Sequence, residues 1–156
     1  MFDNIITVDK NSQGIIGLTS ELKAIYIYNY YRKFNESLLV VCNTLYEANM
    51  MFQVISNYID DVLFFPMDDF ITSKVIATSP ELKNTRLETI DELISSEKSI
   101  VITNLMGFLR YLPSKEIYLN NNLLLEIGKE YKKNILLEKL YNMGYERESL
   151  VTKTGE

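Results

Sequence analysis

Apolar residues along the chain fall alternately into unbroken runs and helical stripes, the pattern of strands that alternate with helices. Ile15–Leu18 predicts a short strand, and a helix follows over about Ser20–Lys33. The unbroken apolar run Ser37–Cys42 predicts a strand buried on both faces. Ala48, Met51, Phe52 and Ile55 then recur at helical spacing and predict a helix over Leu45–Ile59. Val62–Pro66 predicts a third strand, stopped by its proline. Ser79-Pro80-Glu81 marks a helix start: a capping hydroxyl, a proline at the first turn and an acid at the positive end of the dipole. Leu82, Ile90, Leu93 and Ile94 are expected to line one side of that helix, down to about Ser95. Ser99–Asn104 predicts a fourth buried strand, followed by a short helix over Leu105–Leu112 that ends at Pro113.

Strands separated by helices require crossover connections, so the first 112 residues predict an α/β domain with a parallel sheet and helices on both faces. After Pro113 the pattern changes. Asn122–Gly128 predicts a strand and Lys132–Met143 a helix with Leu136, Leu140 and Met143 on one face. Gly144 suits the left-handed position past that helix, with Tyr145 folding back over its last turn. The run from Glu148 to Glu156 starts another strand, so residues 113–156 are expected to be part of a small, truncated α+β domain.

Composition narrows the chemistry. No apolar run approaches the ~20 residues of a membrane-spanning helix, and the N-terminus lacks the pattern of a secretory signal. The lone Cys42 excludes an internal disulfide and is expected to be a buried small hydrophobe. These features predict a cytoplasmic protein. With no histidine, His-based acid–base chemistry and nearly all zinc sites are excluded. Residues 1–112 carry 9 Lys/Arg against 14 Asp/Glu and the rest 7 against 7, so neither part is the basic surface that nucleic-acid binding needs.

One stretch invites a specific test. Gly17-Leu-Thr-Ser-Glu-Leu-Lys-Ala24, between a predicted strand and a helix, sits where a phosphate loop G-x-x-x-x-G-K-[ST] would sit. Gly17 and Lys23 match, but Leu22 replaces the second glycine and Ala24 the metal-ligating hydroxyl. Glu21 places a carboxylate where the phosphate would draw on the helix dipole. The stretch reads as a vestigial loop without cofactor. Asp68-Asp69, the other candidate for nucleotide chemistry through Mg²⁺, is displaced from its strand by Pro66 and Met67 and reads as a solvated loop. A divergent stand-alone NTPase using Lys23 with Asp68 or Asp69 is the alternative reading. The tyrosines Tyr26, Tyr28, Tyr30 and Tyr31 suit packing rather than base stacking on so acidic a segment, and the charged stretch Lys129–Lys139 suits a solvated helix face.

Six stretches in order, IIGLTSELKA, LLVVCNTLYEANMMF, FFPMDD, SPELKNTRLETIDEL, IVITNLMGFLRYLP and IGKEYKKNILLEKLYNMGYERESLVTKTGE, resemble the N-terminal region of the bacterial transcription-repair coupling factors, the Mfd family. The most specific parts are Ser79-Pro80-Glu81-Leu82 with Arg86-Leu87, and Met143-Gly144-Tyr145-Glu146-Arg147 with Gly155-Glu156. The resemblance implies a RecA-like domain similar to that of the excinuclease subunit UvrB, with a degenerate phosphate loop, followed by a small domain that docks onto UvrA. It further implies an ATP- and Mg-dependent double-stranded-DNA translocase motor and an RNA-polymerase-binding domain elsewhere in the full protein, with UvrA contacts mostly beyond Glu156.

Overall fold

The computed structural model describes residues 6–11, 14–69 and 79–150. The chain divides into two compact units, Met1–Tyr111 and Leu112–Glu156.

The first unit is built from α1 (Ser20–Phe34), β1 (Leu38–Cys42), α2 (Leu45–Ser56), β2 (Val62–Phe65), α3 (Pro80–Ser95), β3 (Ile100–Asn104) and the single turn α4 (Leu105–Phe108). The three strands form one parallel sheet in the order β1-β3-β2, with Leu38 and Val62 both level with Ile100. An all-parallel sheet joined by helices is the α/β class expected. Ile100 and Ile102 of the central strand are fully buried, together with Ala24 of α1 and Ala48 and Ile55 of α2. The stripe read for α2 therefore does face the core, where Met51 and Phe52 pack and the Phe52 ring stacks on Phe64 at 5.0 Å. The left-handed Asn35 (φ 55°) ends α1 by returning its N–H to Tyr31 O at 3.0 Å. A short polar side chain tolerates that conformation best after glycine.

Several expectations need correcting. Ile15–Leu18 is not a strand: Ile16 is 95% exposed and the segment pairs with no described strand. The strand at Leu38–Cys42 is not buried on both faces: Leu38, Val40 and Cys42 pack on the core cluster, while Leu39 and Val41 alternate onto the other face and are exposed. In α3, Leu93 is exposed and the buried position is Thr89, whose hydroxyl donates to Phe64 O and to Thr85 O. Ser79 precedes α3 without a side-chain cap, leaving Pro80 to set the first turn. The helix expected to reach Leu112 ends at Phe108, where Leu109 N turns back to Leu105 O and Arg110 N to Gly107 O. Cys42 is half-buried against the core rather than sealed in it.

The second unit holds α5 (Lys115–Asn120), which the apolar pattern did not show, and α6 (Lys133–Asn142). Ser114 caps α5 by accepting from Ile117 N at 3.3 Å. Gly144 sits at φ +88°, Tyr145 N donates to Leu140 O and Gly144 N to Tyr141 O, both at 3.0 Å. These two bonds form the left-handed helix stop expected there. Leu136, Leu140 and Met143 are the more shielded positions of this segment, although no described residue of the unit is buried. Asn122–Gly128 is not a strand. It runs to a turn at Gly128 (φ +87°) where Glu126 N donates to the Tyr131 hydroxyl at 2.9 Å. The last expected strand has an irregular start at 148–150 and otherwise lies outside the described residues.

Gly107 is required by close approach. A Cβ there would lie 2.2 Å from Thr103 Oγ1 and 3.1 Å from Phe65 O, both buried against the end of the sheet. Gly107→Ala is expected to destabilise the first unit by about 1–3 kcal/mol through overpacking. Urea denaturation followed by circular dichroism measures it, and an unchanged midpoint would contradict the packing described.

Candidate functional site

In open parallel sheets, ligands sit beyond the carboxyl ends of the strands, where helix N-termini offer unpaired N–H groups. Lys23 lines a cleft there with Cys42 and Asn43, and Asp68 and Asp69 follow the end of β2.

Gly17 adopts φ +80°, the left-handed geometry of a turn that leads from an extended segment into a helix. Thr19 is the N-cap of α1, and its hydroxyl accepts from Leu22 N at 3.4 Å, while Glu21 lies in the first turn. Ala24, at the position of the metal-ligating hydroxyl, is wholly buried in the core cluster. Leu22 is half-buried and Lys23 exposed. A cleft of about 610 Å³ opens between this turn, β1 and the start of α2; Lys23, Tyr26, Cys42, Asn43 and Glu47 line its polar side.

The start of α2 is closed in the same way. Thr44 caps it, accepting from Glu47 N at 3.1 Å, and the Glu47 carboxylate reaches back to accept from Asn43 N at 3.1 Å. Asp69 adds a second carboxylate from the loop after β2, accepting from Leu45 N through both oxygens at 2.9 Å. Asp69 is an exposed loop residue that also caps α2, a role the sequence reading did not give it. Its neighbour Asp68 is half-buried, with one carboxylate oxygen buried and no hydrogen-bond partner for it among the described residues. Asp68 also raises the pKa of Arg86, although burial and Arg110 outweigh it and lower that guanidinium overall. Arg86 donates to Pro66 O at 2.9 Å, pinning the loop that carries the two acids.

Asn104, which sequence reading passed over as a strand residue, organises the edge. Fully buried at the end of β3, it donates from Nδ2 to Met67 O at 2.6 Å and to Asp69 Oδ1 at 2.7 Å. Its Oδ1 accepts from Met67 N at 3.1 Å and from Gly107 N at 3.3 Å, the latter capping α4. An Asn directly before a helical run is itself a capping signal, and Thr44-x-x-Glu47 is a capping-box spacing. Both signals were legible in the sequence. The reach of Asp69 across 24 residues to Leu45 was not.

Two helix N-termini thus open onto the cleft, and each already carries a hydroxyl cap and an acid from its own chain. A phosphate would have to displace those caps and face Glu21, Glu47 and Asp69. Among the described residues no group of three or more His, Cys, Asp or Glu side chains is placed to hold a metal ion, and no helix is long and apolar enough to cross a membrane. The tyrosines divide between core and surface: Tyr31 is buried, while Tyr28 packs on Tyr58 and Tyr30 on Phe34.

Burial and then the Glu47 charge push the Cys42 thiol above its ordinary 9.0, and the nearby Lys23 charge opposes them. Because the folded state favours the neutral thiol, its contribution to stability is complete below the ordinary thiol range and is lost as pH rises through it. Native Cys42 is expected to react with a thiol reagent at pH 8 more slowly than in urea. Lys23→Ala should slow it further and Glu47→Gln speed it; the reverse order would contradict the placement of these charges. Asn104→Ala is expected to cost about 3 kcal/mol by orphaning buried partners, and Asp69→Ala about 1 kcal/mol as a lost cap. Urea titration of the two variants would show otherwise if they proved equal.

Comparison with known proteins follows the same direction. No family model matches the chain. It is 34% identical over 144 residues to a transcription-repair-coupling factor of Staphylococcus epidermidis, covering 91% of this chain and 12% of that protein. Transcription-repair-coupling factors of two Staphylococcus aureus strains, bovine RF122 and USA300, are 32% and 31% identical over the same share. The chain thus spans about one-eighth of the length of the curated relatives it matches. Over nine-tenths of its residues, then, the chain is similar to one short part of the transcription-repair-coupling factors.

Proposed function

We propose that this chain is the N-terminal, non-catalytic part of a transcription-repair coupling factor and serves as an interaction and regulatory module. On this reading residues 1–112 are a RecA-like domain similar to that of UvrB, and residues 113–156 begin the small domain that docks onto UvrA. Removal of RNA polymerase stalled at lesions, and ATP- and Mg-driven translocation on double-stranded DNA, belong to other parts of the cytoplasmic parent protein. The observation that carries this reading is the phosphate turn: Gly17 and Lys23 keep its outline, while Thr19 caps the helix, Glu21 opposes an anion and Ala24 is sealed in the core. The homology supports it by matching almost the whole chain to one such family.

The alternative, an NTPase acting through Lys23 with Asp68 or Asp69, needs one of these carboxylates for a metal. The Asp69 carboxylate is already engaged by Leu45 N and Asn104. The acidic balance of the first unit also weighs against direct binding of nucleic acid.

Millimolar ATP with Mg²⁺ is expected to leave the melting temperature of this chain unchanged. A rise of several degrees, or ATP turnover abolished by Lys23→Ala, would overturn the vestigial reading. In a titration, UvrA is expected to bind a longer version of the protein that completes the second domain far more tightly than it binds this chain. Equal affinities would place the contact surface within this chain instead.

A further inference from the structure

Where β2 and β3 end, two arginines from distant parts of the chain converge on one loop. Arg86 of α3 donates from Nη1 to Pro66 O at 2.9 Å, so its guanidinium lies against the exit of β2. Gly107 abuts the same exit, since a Cβ there would lie 3.1 Å from Phe65 O. Arg110 follows in the same turn, its N–H donating to Gly107 O at 3.1 Å. Burial first, and then the Arg110 charge, lower the pKa of the Arg86 guanidinium, which places the two cations within electrostatic reach of each other. Asp68 opposes both effects. One oxygen of its carboxylate is nevertheless buried with no hydrogen-bond partner among the described residues.

Around Arg110 the surface is apolar. Phe108, Leu109 and Tyr111 are 54%, 61% and 100% exposed, and Arg110 between them is exposed as well. Single exposed apolar residues are ordinary. A consecutive run of two aromatic rings, a leucine and an arginine has the composition of a protein interface, where such side chains carry most of the binding energy. The charges specify what fits it. Two guanidiniums and one carboxylate leave one net positive charge, which a single carboxylate neutralises. A phosphate monoester overshoots that charge and meets Asp68. A nucleic-acid phosphodiester has the right charge but no N–H or O–H to give the buried oxygen of Asp68, whereas a peptide has both an acidic side chain and a backbone N–H.

We infer that Arg86 and Arg110, rimmed by Phe108, Leu109 and Tyr111, form a docking surface for an acidic, apolar-flanked segment of a separate protein. A carboxylate of that segment takes the fork of N–H donors that a guanidinium presents. One of its backbone N–H groups meets the buried oxygen of Asp68, and its apolar side chains cover the rim. The surface lies wholly in the first unit, so it is distinct from the contact proposed through the second domain and does not depend on that reading.

Titration of this chain with a blocked tetrapeptide that holds glutamate between leucines, followed through the arginine Nε resonances, tests the inference. Saturable shifts of the Arg86 and Arg110 signals are expected, with binding about tenfold weaker for the glutamine counterpart. Arg110→Lys should keep most of the affinity and Arg110→Gln lose it by about fivefold or more. Both variants change an exposed side chain and are expected to keep the fold, which unchanged amide spectra would verify. Phe108→Ser should weaken both peptides while preserving the preference for glutamate. Equal binding of the two peptides, or no saturable shift, would overturn the inference. So would tighter binding of inorganic phosphate or of a double-stranded oligonucleotide, which would make the surface a phosphate or DNA site. In the full-length protein the glutamate peptide should bind as it does to this chain. Loss of binding there would show that the protein's own chain fills the place, and would refute a separate partner.

Discussion

The buried amide of Asn104 is the interaction on which the first unit depends. It stands where β3 ends, and every hydrogen-bonding position it offers toward the sheet edge is used. Through Met67 it fixes the exit of β2, through Gly107 it starts α4, and through Asp69 it reaches the first N–H of α2. Buried polar networks of this kind are costly when half-made and specific when complete. Thr103 beside it donates to Phe65 O at 2.7 Å, so the last two residues of the central strand both clamp the neighbouring strand. Gly107 lacks a Cβ because that clamp leaves no room for one.

The same network occupies the places where an anion would bind. In a parallel sheet the helix N-termini gather at the carboxyl ends of the strands, and their unpaired N–H groups are the natural anion site. Here Thr19, Thr44, Glu47 and Asp69 supply the acceptors from within the chain. A scaffold that satisfies its own helix ends has no need of a nucleotide to be stable there. Leu22 is half-buried and Ala24 is sealed in the core, so both serve packing.

Much of this was legible in the sequence, and the losses have physical causes. The helices α1, α2 and α3 and the strands β1, β2 and β3 were placed within a few residues, because unbroken apolar runs and helical stripes report burial directly. Periodicity misassigned Leu93 and overlooked Thr89, since it counts a threonine as polar even when its hydroxyl is satisfied by Phe64 O. The caps at Thr44 and Asn104 carried local signatures that could have been read. Asp69 could not, because its partners lie 24 and 35 residues away and only the fold brings them together.

Ile15–Leu18 and Asn122–Gly128 share a different cause. Both have the composition of strands and neither forms one. Apolar composition specifies that a segment should be extended and covered, but a strand exists only as one side of a hydrogen-bonded ladder. The first unit tolerates the missing ladder because Ile55, Ile100 and Ile102 already give it a sealed core. Among its described residues the second unit has no buried one to fall back on, and Leu124, Ile127, Leu137 and Tyr141 all remain exposed. A segment of that size lies near the lower limit at which a single core can be self-sufficient. The helix stop at Gly144 and the caps of α5 nevertheless define its local structure well, so local signals are strong exactly where tertiary cover is weakest.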